Sequence, residues 1–139
     1  MAQHAQVWWP RPEAGDIVWC QFPHLPKLDP GPKPRPALDI TVKERDDSMP
    51  GCRVLVAYGT SQRTTTLHPG EFLLRKQPSS LFELSGLSFD TKFSFKNSVE
   101  LDYSSEWFKT PPAAGKFKTP KIRVLHLVYA KAAFAAYAA

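Results

Sequence analysis

The chain has 139 residues, 42% of them hydrophobic and 22% charged, with a formal net charge of +5. That length fits one domain with a modest core, and the composition excludes a disordered chain. No apolar run approaches the roughly 20 residues that cross a bilayer. Met1 to Gln6 lacks the basic and apolar regions of a secretory leader, so the expectation is a cytoplasmic protein. The positive surplus favours a polyanionic partner, because lysine and arginine release the counterions of a phosphate chain.

In chain order, Trp8 and Trp9 come first, placed to pack across one end of the fold or against a partner. Pro10, Arg11, Pro12 and Gly15 then mark an irregular entry, which leaves residues 1–13 as an N-terminal arm. Ile17 to Phe22 is rich in β-formers and predicts a strand. Five prolines between Pro23 and Pro34 exclude helix and central strand and predict a surface loop. Arg35 to Val42 and Cys52 to Tyr58 predict the next two strands, separated by the charged turn Lys43 to Pro50. Gly59 to Pro69 is polar and hydroxyl-rich, hence loop or irregular edge, and Glu71 to Leu74 predicts a short strand. Ser79 to Ser85 is open between a helical turn and coil. Thr91 to Lys96 alternates polar and aromatic residues at period two, the pattern of a half-buried strand, which Val99 to Tyr103 continues after a bend at Asn97. Pro111 to Lys118 predicts a second surface loop and Ile122 to Leu127 a last strand. The alanine-rich end, residues 128–139, predicts a short helix.

Five to seven short strands separated by turn signals, without strand–helix alternation, predict a mainly β domain over residues 1–139, a small barrel rather than a parallel sheet. No glycine-rich phosphate loop is present. Cys20 and Cys52 lie in strand-like runs and read as reduced core thiols; without a histidine pair they do not make a zinc site.

Two segments carry the functional information. Gly15-Asp16-Ile17-Val18-Trp19, followed by Arg35-Pro36-Ala37-Leu38, resembles the opening of the PemK/MazF family of toxins from toxin–antitoxin modules. Val56-Ala57-Tyr58-Gly59-Thr60-Ser61-Gln62 resembles that family's next strand and the hydroxyl residues after it. Thr91-Lys92-Phe93, Val99-Glu100-Leu101 and Ser105-Glu106-Trp107-Phe108 are similar to later segments, so the likeness covers about residues 14 to 126. It implies an SH3-like barrel, a homodimer, and an endoribonuclease that cuts single-stranded RNA without metal or other cofactor. It further implies attack by the ribose 2′-hydroxyl, a cyclic phosphate product, and a cognate antitoxin that covers the RNA groove. Three departures stand out: the proline content of the loop between Phe22 and Lys33, the length of the segment from Thr64 to Leu87, and Asp39 where the strand is normally aliphatic.

Such a transesterification needs a base for the 2′-hydroxyl proton, a donor for the charge growing on the phosphate, and an acid for the leaving 5′-oxygen. Arg35 offers a permanently charged fork of donors for a phosphate edge; the plain alternative is an exposed arginine at a strand start. By the resemblance Thr60 holds the functional hydroxyl position, with Ser61 beside it; a turn-forming Thr-Ser pair is the alternative. Gln62 and Arg63 reach bases or phosphates, or are solvated loop residues. His24 and His68 offer imidazole nitrogens as a base, or are bystanders. Lys33 joins Lys27, Arg63, Arg75 and Lys76 in an electrostatic track, with Phe22 and Tyr58 as stacking faces. Asp16 reads as the organiser of the turn before the first strand, and a non-catalytic RNA- or protein-binding module of the same fold is the rival function.

Overall fold

The computed structural model describes residues 7–24, 29–45, 51–74, 90–110, 119–124 and 130–138. Six strands and one helix form from them: β1 (Asp16–Cys20), β2 (Arg35–Glu44), β3 (Cys52–Thr60), β4 (Glu71–Leu74), β5 (Thr91–Asp102), β6 (Lys121–Val124) and α1 (Ala130–Ala138). The strands make one antiparallel sheet in the order β4-β5-β3-β2-β1-β6. The protein is therefore mainly β, as its composition of short β-branched runs predicts. Among the described residues β4 and β6 are not paired, and the six-stranded sheet does not close on itself. No described helix is long and apolar enough to cross a membrane.

The strand boundaries follow the sequence signals closely. β2 runs two residues past Val42, and β3 runs through Gly59 to Thr60. The bend expected at Asn97 is an irregularity inside one long strand rather than a break between two. Ser79 to Ser85 and Pro111 to Lys118 lie outside the described residues, as do 125–127 of the last predicted strand.

Period-two alternation gives each face of the sheet its own core. One face carries Val18, Cys20, Phe22, Ala37, Val54, Val56 and Leu101, covered by Tyr103, Trp107 and Phe108 from the turn after β5. That turn is stitched to the end of β1: Gln21 N–H donates to the Trp107 carbonyl at 2.7 Å and Lys109 N–H to the Trp19 carbonyl at 3.1 Å. The other face carries Ile17, Leu38, Ala57, Phe72, Leu74 and Phe93. Helix α1 lies over the β4–β5 end of this second face. Its Ala133 and Ala136 share a helix side at spacing three and let the backbone approach, while Tyr137 meets Phe95 edge-on at 5.3 Å.

Residues 7–9 of the N-terminal arm are tied to the domain. The Arg45 guanidinium lies 4.1 Å from the centre of the Trp8 ring, and Trp9 Nε1 donates to the Phe108 carbonyl at 3.1 Å. Both tryptophans thus pack on the domain itself and stay partly exposed. Asp16 does organise its turn: its Oδ2 accepts the Glu13 N–H at 3.0 Å, and its Oδ1 lies 3.4 Å from Lys121 Nζ. Cys20 and Cys52 are both buried and free.

Candidate functional site

β2 begins at Arg35 and the antiparallel β3 ends at Thr60, so both residues stand at one end of the sheet. The register pairs Ala37 with Tyr58. Arg35 and Thr60 each lie two residues beyond that pair, at the same end of the sheet, where Arg35 pairs with Cys20 and Thr60 with Lys92. The strands come very close here: a Cβ on Gly59 would stand 2.5 Å from the Pro36 carbonyl oxygen and 2.7 Å from the Phe93 ring. Glycine in a strand interior marks such an approach.

Above this end lies a cavity of about 480 Å³, lined by Phe22, Pro23, His24, Pro32, Lys33, Arg35, Tyr58 and Asn97. Its wall is the proline-rich loop between β1 and β2. Gln21 clamps that loop in both directions: its carbonyl accepts the Gly31 N–H at 3.0 Å, and its Nε2 donates to the Gly31 carbonyl at 3.1 Å. Gly31 fits because any Cβ there would meet the Phe22 carbonyl oxygen at 2.3 Å. The floor is aromatic, with the Phe22 and Tyr58 rings 5.1 Å apart and tilted by 59°.

The charges that line this cavity differ from those at the opposite end of the sheet. Several cations elsewhere have carboxylate partners. Arg11 pairs with Glu44, Lys43 and Arg53 with Glu100, Arg53 also with Asp102, and Lys121 with Asp16. Arg35 and Lys33 have none, and no carboxylate lines the cavity among the described residues. A solvent-accessible wall of one charge sign with no lining carboxylate is suited to an anion.

Three of the residues singled out in the sequence, Arg35, Lys33 and His24, therefore meet in one cavity, together with the stacking faces Phe22 and Tyr58. Thr60 stands beside it rather than in its lining. Its Oγ1 accepts the Gln62 N–H at 3.1 Å, the turn-forming role weighed against function, yet the hydroxyl keeps its own proton to donate. Ser61, Gln62 and Arg63 follow in an exposed turn, with Arg63 at φ 52°. His68 lies further along the same loop, where its backbone N–H donates to Glu71 Oε1 at 2.7 Å. Lys27, Arg75 and Lys76 of the expected basic track are outside the described residues.

Two participants were not marked by the sequence. Lys92 is not one more scattered surface lysine. It is buried, with Nζ 3.1 Å from Glu71 Oε1 and 3.0 Å from the Thr66 carbonyl. It pairs with Thr60 across the β3–β5 ladder, so this ion pair fixes the loop that leaves Thr60. Burial would push the Glu71 carboxyl up, but the His68 N–H and the Lys92 ammonium outweigh it and hold Glu71 below its usual range. Asn97 enters the cavity from β5. Among the described residues no group of three or more His, Cys, Asp or Glu side chains is placed to hold a metal.

No protein-family model matches this sequence, and no curated protein matches it significantly.

Proposed function

We propose that this protein is an endoribonuclease of PemK/MazF type, acting on single-stranded RNA and restrained by an antitoxin. The observation that carries the reading is the unneutralised Arg35, with Lys33 and His24, over an aromatic floor, one strand from the Thr60 hydroxyl. The SH3-like barrel of that family is the finer description we propose for the two-faced antiparallel sheet. In the proposed reaction the 2′-oxygen attacks the adjacent phosphorus and gives up its proton to a base. The bond from phosphorus to the 5′-oxygen breaks, and that oxygen takes up a proton. The products are a 2′,3′-cyclic phosphate and a free 5′-hydroxyl. Arg35 spans the non-bridging oxygens as their charge grows, and Thr60 donates to one of them. His24 offers a nitrogen for proton transfer in the same cavity. The nucleophile is already beside the phosphorus, so orientation accounts for much of the acceleration.

The test is cleavage of single-stranded RNA in excess chelator. Arg35→Ala should lose at least about a hundredfold in rate, the scale for one transition-state donor, while its melting temperature stays that of the wild type. An Arg35→Ala variant that cuts at wild-type speed would remove the proposed mechanism. A non-catalytic RNA-binding module is the second reading, favoured by the engagement of Thr60 Oγ1 in its own turn. RNA retained on the wild-type protein without any cyclic phosphate product would select it. The proposed homodimer is checked by sedimentation at micromolar concentration, where a monomer alone would speak against it.

A further inference from the structure

We infer that Gln21 is a positioning residue of the cavity, which fixes Lys33 beside Arg35 for the phosphate chain; the inference rests on the RNA reading above. The β1–β2 ladder ends at the pair Cys20 and Arg35. Lys33 stands outside that ladder, in the run Gly31-Pro32-Lys33-Pro34-Arg35. Pro32 and Pro34 have no N–H, so they cannot donate to an extension of the ladder that would carry Lys33. They do stiffen the run. Each proline fixes its own φ and restricts the residue before it, here Gly31 and Lys33. A stiff run lies where its two ends are held.

One end is Arg35, held by Cys20. The other end is Gly31, held by the very next residue of the chain, Gln21. The Gln21 carbonyl accepts the Gly31 N–H at 3.0 Å, and Gln21 Nε2 donates to the Gly31 carbonyl at 3.1 Å. Gln21 is itself anchored, because its N–H donates to the Trp107 carbonyl at 2.7 Å. Gly31 is buried against the Phe22 carbonyl, which leaves that end little room to shift. The side chain of Gln21 thus takes over where the ladder stops. Gln21 is not among the residues that line the cavity, so it acts through Lys33 and not on the ligand. Lys33 is exposed and has no carboxylate beside it in the lining, so the course of its backbone decides where its ammonium stands.

The experiment measures binding of single-stranded 2′-O-methyl RNA of mixed sequence, which lacks the nucleophile and so cannot be cut, across a salt series. Gln21→Met keeps the length of the side chain and removes its donor. The slope of log affinity against log salt should fall by about 0.7 in this variant, the share of one cation on a single strand. Lys33→Ala should lower it equally, and Gln21→Met with Lys33→Ala no further. Gln21→Met with Arg35→Ala should lose both shares, about 1.4. In the free Gln21→Met protein, amide exchange should quicken at Gly31 while the amide at position 21 stays protected by Trp107, the sign of an open clamp on a folded sheet. Pro32→Gly, which loosens the run and leaves the clamp intact, should reach the same reduced slope. A wild-type slope in Gln21→Met or in Pro32→Gly, or a loss of two shares when Gln21→Met is combined with Lys33→Ala, overturns the inference and leaves RNA binding standing. A wild type that binds no RNA overturns the RNA reading and this inference with it.

Discussion

Asp39 lies inside the first core of the sheet, 1% exposed, and neither carboxylate oxygen has a hydrogen bond among the described residues. Burial pushes its pKa well up, and the nearby Asp16 adds to the effect. An acid raised in this way keeps its proton in the folded chain at pH values where the unfolded chain, with an aspartate pKa of about 3.9, has released it. The folded state then binds more protons, so this residue lowers stability progressively as pH rises above about 4. Asp39→Val, which restores the aliphatic residue expected at this position, should stabilise the protein by about 1–3 kcal/mol at pH 8. The gain should shrink toward pH 4. Urea melts at the two pH values check this, and a gain independent of pH would count against a neutral buried acid. Glu71 works in the opposite sense. Its depressed pKa gives stability that is present above the unfolded value and lost as pH falls through the folded one.

At the scale of elements, the strands were legible because β-branched and aromatic runs bounded by proline, glycine and charge leave few other solutions. Glu71–Leu74 was readable to the residue. The placement of Arg35 and Thr60 at one end of the sheet was open to the same logic, since a strand that starts with one and a neighbour that ends with the other share a rim if they are antiparallel. What local pattern could not supply was cover. Alternation put Lys92 on the polar side of β5, but the loop carrying Thr66 and His68 closes over that side and turns a surface lysine into a buried ion pair. Asn97 was visible as a bend, yet its cavity is assembled from segments far apart in sequence, so its place there had no local signal. The glycine in Tyr58-Gly59-Thr60 follows from the same close approach. Gly59→Ala should cost about 1–3 kcal/mol by overpacking against Pro36 and Phe93, read as a fall in the denaturation midpoint. Removing the ammonium with Lys92→Met leaves the Glu71 carboxylate without its cationic partner, and should release the loop, seen as faster amide hydrogen exchange over residues 61–70 while β1–β2 stays protected. Unchanged exchange there would mean that the ion pair does not hold the loop.

For the whole molecule, the net charge of +5 gives no address for a polyanion; the proposed one is the cavity where Arg35 and Lys33 stand together without a lining carboxylate. Acidic neighbours neutralise Lys43 and Arg53 on β2 and β3, at the end of these strands remote from Arg35 and Thr60. RNA held at the cavity should weaken with salt, and Lys33→Ala should reduce the slope of log affinity against log salt by about 0.7, the contribution of one cation on a single strand. An equal slope in both proteins would place the RNA elsewhere. The same two-sided packing that builds the site seals both thiols of the chain, Cys20 at 0% and Cys52 at 1% exposure, and burial makes the Cys20 thiolate still harder to form. Maleimide reagents should therefore pass over the native protein. A cysteine introduced at an exposed place such as Ser61 becomes the sole attachment point for a fluorophore, and occupancy of the rim can be followed by light without first stripping the protein of its own thiols.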